Sequence, residues 1–284
     1  MKLQLASTPW TQATGDWLIV GVPEAFDLEG PLGALDQALS GQIARLRESQ
    51  DLSGKLAESV SVPAPAGIRA KRLLLIGLGP ADKISDSGLH KALMTAARTV
   101  SAKKTERIAV AIPTAGPAEF SLARRVQNAA TAFTVGCVGQ DLYRAEKKRF
   151  PFDSVDLLVE PGQETAEMKA ALEAGTILGD AINLTRELVN QPPKVIYPAS
   201  FARRAEELAA STTCAAKCST RRPLKPKKWG RCWRSRRGAI SLRGWYFSNM
   251  TALPPGRRLW RWWAKGSPST AAGCRSNQTK TCSP

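Results

Sequence analysis

Apolar residues fall into two alternating rhythms over the first 160 positions. Short continuous runs mark strands: Leu18-Ile19-Val20-Gly21-Val22, closed by Pro23; Arg72-Leu73-Leu74-Leu75-Ile76-Gly77-Leu78-Gly79; Ile108-Ala109-Val110-Ala111-Ile112, closed by Pro113; and Val155-Asp156-Leu157-Leu158-Val159. Runs that are apolar throughout, rather than at every second residue, fit strands covered on both faces of a sheet. Between them the spacing becomes helical. Leu35, Ala38, Leu39, Ile43 and Leu46 predict one helix, 85–101 a second and 120–138 a third. This alternation predicts an α/β domain over 1–160, a mixed sheet flanked by helices.

A long helix is predicted from 164 to 189, with an inward stripe of Met168, Ala171, Leu172, Gly175, Leu178, Ile182 and Val189. Gln191-Pro192-Pro193 ends it, because proline cannot continue the hydrogen-bond ladder. A further helix starts at Pro198 and runs through Phe201, Ala205 and Leu208. The chain thus divides into a domain over 1–160, a linker helix with one following helix over 161–211, and a tail over 212–284 with neither period.

Charge sharpens that last boundary. The formal net charge is +17 over 284 residues. Residues 211–284 hold 17 Lys and Arg with no Asp or Glu, leaving 24 bases to balance 24 acids before them. Five of six cysteines and six of eight tryptophans also lie in the tail. A segment this basic, with no acids to pair against, is ill suited to building a core, and the reading expects it to be unstructured. Arg221-Arg222, Lys225, Lys227-Lys228, Arg231, Arg234 and Arg236-Arg237, interleaved with Trp229 and Trp233, could contact nucleic-acid phosphates without sequence preference. Cys214 and Cys218 stand near no histidine, so a zinc module is not predicted. His90, the only histidine, reads as a surface or capping residue of its helix. Gly77-Leu78-Gly79 lacks the third glycine of a dinucleotide fingerprint and reads as a strand end. The start of the chain has no long apolar core of a signal peptide, and no stretch reaches the ~18 apolar residues of a membrane span.

Thr185-Arg186-Glu187-Leu188-Val189-Asn190-Gln191-Pro192-Pro193, followed by Tyr197-Pro198, resembles the linker motif of the leucyl aminopeptidase family, R-[DE]-L-V-N-x-P. Arg72 to Gly79 is similar to that family's R-[VL]-L-L-[IV]-G-L-G strand, and Gly139 to Arg144 to its L-Y-R-F-D element. Without the resemblance, Arg186, Glu187 and Asn190 are solvent-facing groups near a helix end. With it, the implied fold is an N-terminal α/β domain leading to a catalytic domain. The implied activity is release of N-terminal residues from peptides by two divalent metals, manganese or zinc, in a cytoplasmic homohexamer.

The motif G-K-G-x-T-F-D-[ST]-G-G, which supplies a Lys and an Asp ligand in that family, is missing as written. Ala264, Lys265, Ser269 and Thr270 stand in its place, with no carboxylate. Read one nucleotide out of frame, Trp262 to Gly273 can spell V-V-G-K-G-I-T-F-D-S-G-G, and Cys274 to Pro284 can spell L-P-I-K-P-D-E-N-M-F. The expectation is a frame change between Ser211 and Lys217. It carries with it an inactive chain that has no catalytic, metal-binding or cofactor-binding residues and does not form the hexamer.

Overall fold

The structure is a computed structural model. It describes residues 1–284 except 115, 118, 119, 140, 161, 163, 212, 213, 220–245 and 253–284. Two units are formed, Met1–Asn190 and Gln191–Pro284.

In the first unit the elements run β1 (Lys2–Ala6), β2 (Trp17–Glu24), α1 (Gly30–Ala38), α2 (Gln42–Glu48), β3 (Ser59–Pro63), β4 (Arg72–Pro80), α3 (Asp86–Val100), β5 (Arg107–Ala111), α4 (Leu122–Gly136), β6 (Ser154–Leu158) and α5 (Ala166–Asn190). One six-stranded sheet has the order β1-β6-β5-β2-β4-β3. Every neighbouring pair is parallel except β3 with β4, so the sheet is mixed, as the sequence predicts.

The continuous apolar runs sort their side chains by the pleat, since successive residues of a strand point to opposite faces. From β4, Leu74, Ile76 and Leu78 enter one core, while Leu73 and Leu75 enter the other. Ile19 joins the first set; Leu18, Val20 and Val22 join the second. The first core is roofed by Leu89, Leu93 and Ala97 of α3 and by Val126, Ala129 and Phe133 of α4. The second is roofed by Leu32 and Leu35 of α1, by Leu39 just after it and by Ile43 of α2. Each such side chain contributes roughly 1.5–3 kcal/mol when fully removed from water.

The single helix predicted over 35–46 is two helices. Ser40 (φ 56°) and Gly41 (φ 75°) both take left-handed backbone, which breaks the ladder. The buried carboxylate of Asp36 then accepts the backbone N–H groups of Ile43 (2.7 Å) and Ala44 (3.2 Å), capping α2 from the preceding helix. β1 and β3 escape the sequence reading. Both are five-residue edge strands; β1 has little contrast between its positions, while β3 alternates, with Val60 and Val62 inward, over too few residues to stand out. β2 also runs on past its predicted stop, with a shift in pairing between Val22 and Glu24.

Asp16 ties three segments together just before β2. Its carboxylate accepts Lys71 Nζ (2.8 Å) and the backbone N–H groups of Glu106 (2.9 Å) and Arg107 (3.4 Å). The lysine hydrogen bond is the chief reason its pKa lies below the usual aspartate value, against a smaller opposing effect of burial. A depressed carboxyl pKa stabilises the fold above the unfolded value of about 4, and that stabilisation disappears as pH falls through the folded value. Asp16→Asn is therefore expected to lose about 1 kcal/mol at pH 7, after allowance for the site's exposure. The difference from wild type should shrink below about pH 4, which urea titrations at a series of pH values will measure.

The second unit holds α6 (Pro198–Ser211) and a two-stranded antiparallel ribbon of β7 (Cys214–Ser219) and β8 (Tyr246–Ala252). These two strands are the tail's described residues. Neither strand has an apolar alternation long enough to be picked out as a period. The rest of the tail lies outside the described residues.

Candidate functional site

The linker motif sits on the last turns of α5, where α5 lies along α4. Two glycines set how close the helices come. A Cβ on Gly175 would lie 2.8 Å from the Ala130 methyl and closer still to the Gln127 carbonyl; one on Gly179 would lie 2.6 Å from Thr134 Cβ. At the first crossing Thr131 Oγ1 donates to the Gly175 carbonyl at 3.0 Å.

Beyond the glycines, α5 turns polar groups onto the end of α4. Asn183 Nδ2 donates to the Thr134 carbonyl (2.9 Å). Arg186 donates through Nη1 to the Val135 carbonyl (3.1 Å) and to Asn183 Oδ1 (2.9 Å), and through Nη2 to the Val138 carbonyl (3.3 Å). The last turn of α4 has no basic residue of its own. Arg186 supplies the cation that the negative end of a helix dipole favours, and satisfies carbonyls that the helix leaves open. Burial lowers its pKa, yet guanidinium stays charged in proteins. The solvent-facing reading of this arginine is therefore corrected: it is half-buried and bonded to another helix. Asn190 Nδ2 donates to the Arg186 carbonyl one turn back.

The inward stripe predicted for α5 is also corrected in part. Met168 and Gly175 are buried, but Leu178 is 46% and Val189 76% exposed. Gly179, Asn183 and Arg186 take the inward places instead.

The remaining motifs have structural positions. Arg72–Gly79 lies on β4, between β2 and the edge strand β3; Gly77 is required because the Lys55 carbonyl occupies the space a Cβ would need. In the 139–144 element, Asp141 accepts the Lys148 N–H at 2.8 Å, while Leu142 and Tyr143 face solvent. His90 is half-buried on α3, beside a cleft of about 750 Å³ that also exposes Asp86 and Arg124, themselves an ion pair. Burial lowers its pKa, favouring the neutral imidazole. Cys137 is buried and free, and burial raises its pKa, which makes it a poor nucleophile.

At the carboxyl ends of β2 and β5, where open α/β sheets commonly bind ligands, two adjoining hollows of about 210 and 220 Å³ share Trp10, Pro31 and Thr114. Their rims carry Asp27, Glu29 and Glu160 and no Lys, Arg or His, which does not suit a phosphate. Among the described residues no three His, Cys, Asp or Glu side chains gather as a metal cluster. Ala264, Lys265, Ser269 and Thr270 lie outside the described residues. No helix among the described residues is long and apolar enough to cross a membrane.

These features define an α/β domain closed by a long helix whose own polar groups lock it in place. A model of the N-terminal domain of the cytosol aminopeptidase family matches residues 19–147. A probable cytosol aminopeptidase of Koribacter versatilis is 27% identical over 255 residues, covering 84% of this chain and 50% of that protein. One of Solibacter usitatus is 31% identical over 212 residues, covering 74% and 40%. Among solved structures, a mutant tomato leucine aminopeptidase superposes with a TM-score of 0.67 at 26% identity, covering 77% of this chain and 44% of that one. Residues 19–147 are thus an N-terminal domain of the cytosol aminopeptidase family. The chain spans about half the length of the curated relatives it matches.

Proposed function

We propose that this chain supplies the N-terminal domain and linker helix of a cytosolic aminopeptidase, and that it does not itself hydrolyse peptides. One observation carries the reading: residues 211–284 contain no carboxylate, while two-metal hydrolysis needs several to hold the ions. The out-of-frame text at Trp262–Gly273 explains where those ligands went, and the change of frame falls between Ser211 and Lys217. The Koribacter match takes in more than the 211 residues before that point, so likeness to the family does not stop sharply there. Sequencing the coding DNA across codons 211–217 tests the frame; a lost frame that meets stop codons at once overturns it.

The expected biochemical result is a null one. Purified chain with added manganese or zinc should release no p-nitroaniline from leucine p-nitroanilide above background, and should not elute as a hexamer. Metal-dependent turnover by the purified chain would overturn the reading.

A second reading has its own observation, the 17 uncompensated bases of the tail. It makes the chain a non-enzymatic nucleic-acid binder. Its signature is affinity for duplex DNA of any sequence that falls steeply with salt. Affinity that is absent, or indifferent to salt, dismisses it.

A further inference from the structure

The helix α5 is apolar on two sides. One side carries Met168, Gly175 and Gly179, all buried in its own domain. The opposite side carries Ala170, Ala174, Ile177 and Ala181, at steps of four, three and four residues, and all are exposed. Ile177 is 62% exposed and its neighbour Leu178 46%. Ordinary surface helices keep one apolar stripe and turn polar groups to water. A second stripe at heptad spacing matches the seam by which one helix packs on another, and its three alanines let a partner backbone come close.

Charge decides which partner. Glu173 and Asp180 stand exposed along one edge of the stripe, one heptad apart, with Lys169 exposed one turn before Glu173, so the edge keeps a net negative charge. Two copies of α5 packed antiparallel would set this acidic edge against itself, where like charges repel. Packed in parallel, the edge would face Leu178 of the other copy and gain nothing. A helix with lysines or arginines along the facing edge gains on both counts. The opposite edge of the stripe borders the cleft between α4 and α5, where Ala170, Ala174 and Leu178 form the apolar wall and Gln127 and Thr131 the polar one. That cleft offers room for large side chains on the partner's other edge.

We infer that the outer face of α5 docks an amphipathic helix with a basic edge, supplied by another polypeptide. The surface is independent of the frame of the tail and of any catalytic activity.

The test uses the full chain and two labelled synthetic helices of about 21 residues, with leucine at every seam position. One carries lysine along its edges, the other glutamate. Fluorescence anisotropy at physiological salt reads binding. The lysine helix should bind wild type about tenfold tighter than Ile177→Asp. Asp180→Lys should weaken the lysine helix and strengthen the glutamate helix, each by roughly threefold. Because both substitutions are at exposed positions, circular dichroism should report an unchanged fold. Equal affinity for wild type and Ile177→Asp overturns the inference. So does light scattering that shows a dimer of the chain dissolved by Ile177→Asp, since the face would then belong to a second copy.

Discussion

Gly175→Val is expected to destabilise the domain by about 3 kcal/mol, more than any other single change considered. The argument starts from the space at α5. An added Cβ would overlap the Gln127 carbonyl and press on the Ala130 methyl, both of which belong to the backbone or the first side-chain carbon of α4. Neither can rotate away. Relief requires α5 to back off, which loosens the hydrogen bond from Thr131 to the Gly175 carbonyl and the seat of Met168 in the first core. The smaller change, Gly175→Ala, makes a sharper test of sign. In an unobstructed helix it would gain roughly 1 kcal/mol from propensity. Here it should lose stability instead, because close approach outweighs propensity. Urea unfolding followed by circular dichroism at 222 nm measures both. A Gly175→Ala protein as stable as wild type would show that α4 and α5 do not lie this close.

How much of this was legible in the sequence varies from element to element. β4 was plain, because nothing but a strand buried on both faces accounts for Leu73 to Leu78 in a row. α3 was nearly as plain from its helical spacing over 85–101, and in the structure Ser85 caps it by accepting the Gly88 N–H. The edge strands were not, because five residues give an alternation too few repeats to stand out. The break at Ser40-Gly41 had a local signal, a turn-forming pair, but apolar residues at helical spacing continued across it and outvoted it. α5 misled more instructively. Counting large apolar residues turned Leu178 and Val189 inward. The helix actually presents its smallest residues and two polar ones, Asn183 and Arg186, to α4. Hydrophobic spacing measures what leaves water. It does not measure how near two backbones can come, or which carbonyls need a donor. Motif resemblance fared better: three ordered elements, Arg72–Gly79, Gly139–Arg144 and Thr185–Pro193, pointed to the family whose N-terminal domain matches residues 19–147, where periodicity could give only strands and helix ends.

Arg186→Ala should cost about 2 kcal/mol, a figure reduced for the residue's partial exposure. Three acceptors lose a charged donor at once: the Val135 and Val138 carbonyls and Asn183 Oδ1. The end of α4 keeps no cation of its own to replace it. Arg186→Lys separates charge from geometry. A lysine restores the positive charge near the helix end but lacks the planar fork that reaches several acceptors together, so it should recover only part of the loss. Asn183 is coupled to the arginine, because it holds the Thr134 carbonyl with one atom and accepts from Arg186 with the other. Asn183→Ala and Arg186→Ala combined should therefore cost less than their sum. Hydrogen exchange gives the spatial readout. Protection should fall in the last turn of α4 and in residues 180–190 of α5, and hold in β4 and β5. If exchange rises evenly through the domain, Arg186 is a general stabiliser. If it rises only at these two helix ends, Arg186 acts locally, seating the end of α5 on the end of α4.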